Sequence, residues 1–267
     1  MKALPSALEP EDLERLKWAT AHLEHPSLAA RLSSLVGTPI DIAIQFLPRP
    51  VFRRTRRLAD DMLWKVLKVA TSSLRHEEES NPRNGMYRSL AGGVGAVGGL
   101  FGVYGLPLDL PISTTIMLRS IAEIARSEGE HIHSRETQLA CLEVFALGGQ
   151  SESDDAAETG YYGVRLALAW ATTHAMHHVL RHGVDTGGPA LVNLIAAVGS
   201  RFGVALTQKA AAQLVPVIGA ASGAAINVLF MNHFQEMARG HFVVRRLERK
   251  YGPELVKANY ESIRLQT

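Results

Sequence analysis

The stretch that decides the fold runs from Ser89 to Leu108 and reads S-L-A-G-G-V-G-A-V-G-G-L-F-G-V-Y-G-L-P-L. Asp109 follows it, and the chain then continues L-P-I-S-T-T-I-M-L as far as Leu118. Asp109 is the only charged residue between Ser89 and Leu118. A segment this apolar and this rich in glycine predicts helices that pack against one another at close range.

Several of the glycines are spaced four residues apart. On a helix, glycines at this spacing share one face and form a flat groove that lets another backbone approach closely. Each glycine inside a helix costs about 1 kcal/mol relative to alanine, so close packing or a membrane must compensate for so many. The predicted packing positions are Gly95, Gly98, Gly99 and Gly102, together with Gly219 and Gly223 in a second such segment, P-V-I-G-A-A-S-G-A-A-I-N.

The length of the Ser89–Leu108 segment leaves three environments open. Twenty uncharged residues just reach the roughly 20 that a transmembrane helix needs. However, the segment has few large aliphatic side chains, contains Tyr104, and is stopped by Pro107 and Asp109. The mean hydropathy of the chain, +0.03, is also low for a polytopic membrane protein. We therefore favour a buried hairpin arm over conditional insertion into a bilayer, and conditional insertion over a stable span.

The remainder of the chain is helical in pattern, with no alternating β-branched run bounded by turns. The prediction is an all-α fold: a single bundle of about ten helices with close-packed, glycine-rich central helices. Breaks in the pattern suggest an N-terminal helical extension over residues 1–38, a helical domain over 39–252 and a C-terminal helix over 253–267. Long helices are predicted over Arg53–Leu74 and from Pro216 to Lys250, and two separate helices over 190–200 and 202–214.

Composition excludes some functional classes. The net charge is +2 and the pI is near 8.7, which is too weak a basic bias for a nucleic-acid-binding domain. Cys141 is the single cysteine, so no intrachain disulfide can form, which is usual in a reducing compartment. The N-terminal residues carry acidic side chains and lack a long apolar run, so they do not form a secretory signal. A cytoplasmic location is expected.

The charges in and beside the apolar hairpin are Asp109, Arg119 and Glu123. Arg119 and Glu123 are four residues apart, so they are neighbours on one helix face that they share with apolar side chains. One interpretation is structural, with Asp109 capping a helix and Arg119 pairing with Glu123. The other is a polar ligand site.

Histidines offer a weaker candidate site. His174, His178 and His182 follow an i, i+4, i+8 spacing, and a pair of histidines four apart on a helix can bind a divalent metal. No H-E-x-x-H motif accompanies them. The sequence also lacks a G-x-S-x-G nucleophile elbow and a phosphate-binding P-loop, and Cys141 lies in an apolar helix where a thiol is inert. No catalytic residue and no cofactor can be assigned.

Two basic clusters lie next to apolar surface. One comprises Arg49, Arg53, Arg54, Arg56 and Arg57, and the other comprises Arg239, Arg245, Arg246, Arg249 and Lys250. Basic charge beside apolar surface is typical of helices that lie on anionic lipid headgroups. The alternative is an ordinary solvated helix face that nearby acidic residues partly neutralise.

Five segments together resemble the EcsC protein family: G-L-F-G-V-Y-G-L-P-L-D-L-P, T-T-I-M-L-R-S-I-A-E-I-A, A-L-G-G, V-P-V-I-G-A-A-S-G-A-A-I-N and F-V-V-R-R-L-E-R-K-Y-G. The resemblance extends from about Pro39 to Tyr251. It implies a bacterial helical protein with a link to the membrane or to export, because the family is named after a component encoded with an ABC-transporter system. It implies no catalytic residue, and the positions that match its recurrent polar and glycine residues are Asp109, Arg119, Glu123, Gly219 and Asn227.

Two functions follow as expectations. The first is a non-enzymatic protein that associates peripherally with the inner face of the cytoplasmic membrane, through an anionic lipid surface or a membrane protein such as an ABC transporter. The second is a small-molecule or metal-dependent binder or enzyme with a polar site around Asp109, Arg119, Glu123 and Asn227. The sequence leaves the oligomeric state open.

Overall fold

A computed structural model describes residues 7–24, 28–48, 63, 83–99, 101, 105–147, 160–182, 188–215 and 219–266. Within these residues the chain forms ten helices and no strand. The predicted all-α fold of about ten helices is confirmed. The predicted helix over Arg53–Leu74 lies outside the described residues except for Leu63, which is helical and fully buried.

The helices are numbered in chain order. Their bounds are α1 (Pro10–Glu24), α2 (Leu28–Val36), α3 (Ile40–Gln45), α4 (Asn84–Gly99), α5 (Leu106–Ser127), α6 (Arg135–Leu147), α7 (Tyr161–His182), α8 (Pro189–Leu214), α9 (Gly219–Tyr251) and α10 (Pro253–Arg264).

Helix α9 is the axis of the bundle. At 33 residues it spans about 50 Å, and α4 packs along it more extensively than any other helix does. Helix α5 packs against both α4 and α9, so these three helices form one layer that contains both glycine-rich segments. On the other side, α6 and α8 pack together, while α1 and α10 cover the C-terminal half of α9.

The core where these layers meet is aromatic. Phe145 of α6 and Phe202 of α8 lie with ring centroids 4.8 Å apart, and Phe202 reaches Phe234 of α9 at 5.7 Å. Phe230 joins Phe234 at 5.0 Å. Offset and edge-to-face rings of this kind supply large buried areas, which compensates for the low aromatic content of the chain.

The Ser89–Leu108 segment is a helical hairpin and not one continuous helix. Helix α4 ends at Gly99, Phe101 lies in a turn and α5 begins at Leu106. The 16 residues of α4 span about 24 Å, which is shorter than the roughly 30 Å hydrocarbon core. The hairpin is buried on one face, as we favoured, but its other face is exposed.

Helix α8 differs from its predicted form, since the two helices expected over 190–200 and 202–214 are one helix of 26 residues. Its mean hydropathy of 1.6 and its length would suffice to cross a membrane, but 61% of that apolar window is buried inside the bundle. The same combination is typical of a core helix, so α8 is weak evidence for a span.

Candidate functional site

Glycine sets the distance between α4 and α9. A side-chain carbon added to Gly95 would collide with the carbonyl oxygen of Gly223 and would lie 2.6 Å from Cβ of Asn227. Gly98 is similarly close to α5, since an added carbon would lie 3.1 Å from Cβ of Asp109. At Gly95, α4 and α9 therefore approach at a separation that only glycine permits. Nothing is described around Gly99 or Gly219, and Gly102 lies outside the described residues.

This close approach brings Asp109 to a buried polar network. Lys209 of α8 donates to Oδ2 of Asp109 at 2.6 Å, and the side chains of both residues are completely buried. Asn227 of α9 donates from Nδ2 to Oδ1 of Asp109 at 2.7 Å and to the carbonyl oxygen of Ala91 at 3.1 Å. Asp109 thus links α5 to α8 and α9, and Asn227 links α9 to the backbone of α4.

The network corrects one interpretation of Asp109. We expected it to cap a helix, but α5 begins at Leu106 with Gly105 as its N-cap, and Asp109 lies within the first turn. Its carboxylate instead neutralises Lys209, whose ammonium also lies 5.1 Å from the ring centroid of Phe230. Burial lowers the pKa of Lys209 and the charge of Asp109 opposes that shift. A lone buried charge here would be very costly, so the two charges require each other.

Glu123 belongs to a second, separate network. It is buried and accepts hydrogen bonds from the backbone N–H of Arg83 at 2.8 Å, from the Arg83 guanidinium at 2.9 Å and from the Tyr87 hydroxyl at 2.7 Å. Burial acts to raise the pKa of Glu123, but these hydrogen bonds outweigh it and the pKa is lowered. Arg119 is exposed on α5, and the expected Arg119–Glu123 pair is not among the described contacts of Glu123. The structure therefore brings Asp109 and Asn227 together and places Arg119 and Glu123 elsewhere.

A groove runs along the outer side of the hairpin between α4 and α5. Its volume is about 290 Å³, and among the described residues that line it Asp109 is the only charged one. Both oxygens of Asp109 are already bonded to Lys209 and Asn227, so the groove offers little polar recognition. We call it the hairpin groove, and the described residues that line it are Gly93, Val94, Val97, Gly98, Leu108, Asp109 and Ile112.

The exposed surface of the hairpin is uncharged. Among the described residues between Ser89 and Leu118, every exposed one lacks charge, because the single charge, Asp109, is buried. Phe101 and Leu108 are each 64% exposed, and Val97 is 55% exposed. We call this surface the hairpin face, and its exposed residues are Ser89, Leu90, Gly93, Val97, Phe101, Leu108 and Ile112.

The second basic cluster is largely neutralised within the protein. Arg245 binds Glu130 at 2.8 Å and Glu136 at 2.9 Å, and Arg249 also binds Glu130. Lys250 lies 2.8 Å from Asp12.

The other two residues of the cluster also have partners. Arg246 forms ion pairs with Asp12 and Glu128, and Arg239 lies over the ring of Trp18. These charges join α9 to α1 and to the loop after α5, which favours the structural interpretation of this cluster. The first cluster, Arg49 to Arg57, lies outside the described residues.

A family model matches residues 11–247 of the chain, and it is the model of the EcsC protein family. The chain belongs to the EcsC protein family. Its match begins at residue 11, within α1, and so includes most of the segment predicted as an N-terminal extension. No curated protein and no solved structure matches the chain.

The histidines of this EcsC-family protein do not form a described metal site. His174 is exposed and its Nδ1 lies 2.8 Å from the carbonyl oxygen of Trp170. His178 accepts a hydrogen bond at Nε2 from the backbone N–H of Gly188. The side chain of His182 is not described. Among the described residues, no three His, Cys, Asp or Glu side chains are grouped closely enough to hold a metal ion.

Sequence reasoning missed two buried groups of the EcsC-family chain. Lys209 was not singled out, although a lone lysine in the otherwise uncharged run V-A-L-T-Q-K-A-A-A-Q-L was a visible signal that a buried partner exists. His241 is the other missed group: it is fully buried, and its Nδ1 lies 3.0 Å from the Tyr161 hydroxyl. Burial, together with the charges of Arg165 and Arg245, lowers its pKa well below the ordinary 6.5, so His241 is neutral.

Proposed function

We propose that this EcsC-family protein is a non-enzymatic protein that attaches peripherally to the inner face of the cytoplasmic membrane through the hairpin face. The observation that carries the proposal is the absence of charge from every described exposed residue between Ser89 and Leu118. Contiguous exposed apolar side chains rimmed by polar residues mark sites of membrane or protein contact. The hairpin face has that composition.

Because the α9 charges pair within the protein, they contribute little to the binding of lipid. Because Arg245, Arg246 and Arg249 already bind carboxylates, little of their charge remains for lipid headgroups. Attachment through the hairpin face then depends mainly on apolar contact, which salt does not screen. We therefore expect binding that changes little with ionic strength and with the fraction of anionic lipid.

The second expected function, a polar site around Asp109, receives less support. Asp109 accepts hydrogen bonds from Lys209 and Asn227, and Glu123 accepts them from Arg83 and Tyr87. Asn227 donates to Asp109 and to the carbonyl oxygen of Ala91, and its Oδ1 is the one buried atom of this network that has no described partner. A ligand that used these groups would first have to break buried contacts. We favour a structural role for both networks.

The test is flotation of the purified protein with lipid vesicles, one set of phosphatidylcholine and one that also contains phosphatidylglycerol. The variant is Leu90→Asp with Phe101→Asp, which places two charges on the hairpin face without touching the residues that line the hairpin groove. The matched control is Leu265→Asp, since Leu265 is 82% exposed and directly follows Arg264, the last residue of α10. Arg264 lies close to Gly160 and Glu24, and neither belongs to the hairpin.

We expect the wild type and Leu265→Asp to float equally on both vesicle types, and the double variant to bind at least about tenfold more weakly, which corresponds to about 1.4 kcal/mol. A wild type that remains unbound on both types contradicts the proposal. Retention on native membranes without binding to pure lipid would instead assign the face to a membrane protein, such as an ABC transporter. Equal binding by the double variant and the wild type would remove the hairpin face from the interaction.

A further inference from the structure

We propose that the hairpin groove holds one acyl chain of a membrane phospholipid. This inference rests on the proposed function, since the groove opens on the hairpin face and shares Gly93, Val97, Leu108 and Ile112 with it. A lipid whose headgroup stays in the membrane surface can place a chain into the groove without leaving the membrane. The groove is therefore continuous with the surface that the proposed function places on the bilayer.

The described lining of the groove offers no free charge to an occupant. Asp109 is the one charged residue among the described lining residues, and Lys209 neutralises it at 2.6 Å. Asn227 occupies the other carboxylate oxygen at 2.7 Å. A charged occupant would lose its hydration and gain no countercharge, which is a large cost. The chemistry that matches the groove is an uncharged hydrocarbon.

The size of the groove suits a narrow apolar occupant. Its volume is about 290 Å³. A helix, about 10 Å across with its side chains, does not fit into that space. A single alkyl chain does.

Gly93 gives a way to close the groove without disturbing the fold. It lines the groove and is exposed, and a side-chain carbon added there meets no atom within 4 Å. Gly93→Leu therefore fills the groove. Gly85 is the matched control, because it lies on the same helix, is exposed and has equally open surroundings, but does not line the groove. Both substitutions replace a helical glycine by leucine, so any gain in helix propensity is shared.

The experiment uses phosphatidylcholine vesicles that carry a diazirine in the middle of one acyl chain. The full-length protein is bound to the vesicles and irradiated, and the cross-linked residues are located by peptide mapping. We expect cross-links on Val94 and Ile112 in the wild type and in Gly85→Leu, and at least about a fivefold loss of them in Gly93→Leu. We expect Gly93→Leu to float with the vesicles as the wild type does, because Leu90 and Phe101 are unchanged.

The outcomes separate this inference from the proposed function. A wild type that does not float contradicts both. A wild type that floats, but whose cross-links avoid the groove or persist in Gly93→Leu, overturns the acyl-chain site and leaves membrane attachment standing. If the groove residues stay unlabelled and Gly93→Leu changes the oligomeric state in gel filtration, the occupant is a second copy of the chain and the inference is wrong.

Discussion

At the scale of single residues, Asp109 has the largest structural role in the hairpin. It is the only charge in 30 residues, and it is buried because Lys209 and Asn227 reach it from two other helices. The ion pair has two effects. It joins α5 to the core, and it keeps the charge of Asp109 away from the surface, so the hairpin face is apolar.

Replacement of Lys209 by methionine tests this pairing. The change leaves the Asp109 carboxylate buried without a countercharge, so we expect Lys209→Met to lower the free energy of unfolding by about 3–5 kcal/mol. The double variant Asp109→Asn with Lys209→Met removes both charges and should recover a large part of that loss. Urea unfolding measures both. Equal destabilisation in the single and double variants would mean that the two charges do not depend on each other.

The sequence pointed to Asp109 but could not identify its partner. A lone aspartate in an uncharged run must be neutralised if it is buried, and this much follows from the sequence. Lys209 lies 100 residues away, and no local spacing relates the two positions. The Arg119–Glu123 spacing was misleading for the opposite reason, since helical neighbours need not pair when a tertiary contact, here Arg83, competes for the carboxylate.

At the scale of elements, the contact between α4 and α9 organises the layer. An added carbon on Gly95 would meet the backbone of Gly223, and backbone cannot move aside as a flexible side chain can. The four-residue spacing of the glycines predicted a close-packing face. It could not say which helix covers that face, because the partner glycine lies on a helix more than 100 residues further along the chain.

We expect Gly95→Ala to destabilise the protein by about 1–3 kcal/mol, since even one methyl group over-packs this contact. The control is Gly93→Ala, two residues away on the same helix with open surroundings, which should stabilise the protein by up to about 1 kcal/mol through helix propensity. Thermal unfolding of both variants checks the prediction. Similar melting temperatures would show that α4 and α9 are not held at glycine distance.

At the scale of the whole molecule, buried carboxylates bind distant parts of the chain together. Asp12 of α1 accepts a hydrogen bond from the hydroxyl of Tyr251, near the end of α9. Glu130 binds Arg245, and Glu123 binds Arg83. Burial acts to raise the pKa of each carboxylate, but the hydrogen bonds and charges of these partners prevail and lower it. Their stabilisation is therefore present above pH 4.5 and is lost as the pH falls toward the lowered pKa of each group.

His241 extends this acid sensitivity to milder pH. It is neutral in the fold, whereas in the unfolded chain it takes up a proton below its ordinary pKa of 6.5. The unfolded state then binds more protons, so stability falls as the pH drops below 6.5. We expect His241→Gln to unfold with a flatter pH dependence than the wild type between about pH 7 and about pH 5. The exposed His174→Gln is the control, and a wild-type slope that survives in His241→Gln would contradict this assignment.

The sequence by itself determined the helical class, the family and the segment in which glycine lets helices approach. Each depends on local information: the period of apolar residues, the spacing of glycines and a set of short motifs. Only the tertiary structure decided that Asp109 is neutralised by Lys209, that the basic residues of α9 pair with carboxylates of the same chain, and that one face of the hairpin is apolar and exposed. The physical reason is that charge pairing and burial depend on which distant helices meet, and the order of residues along one helix does not contain that information.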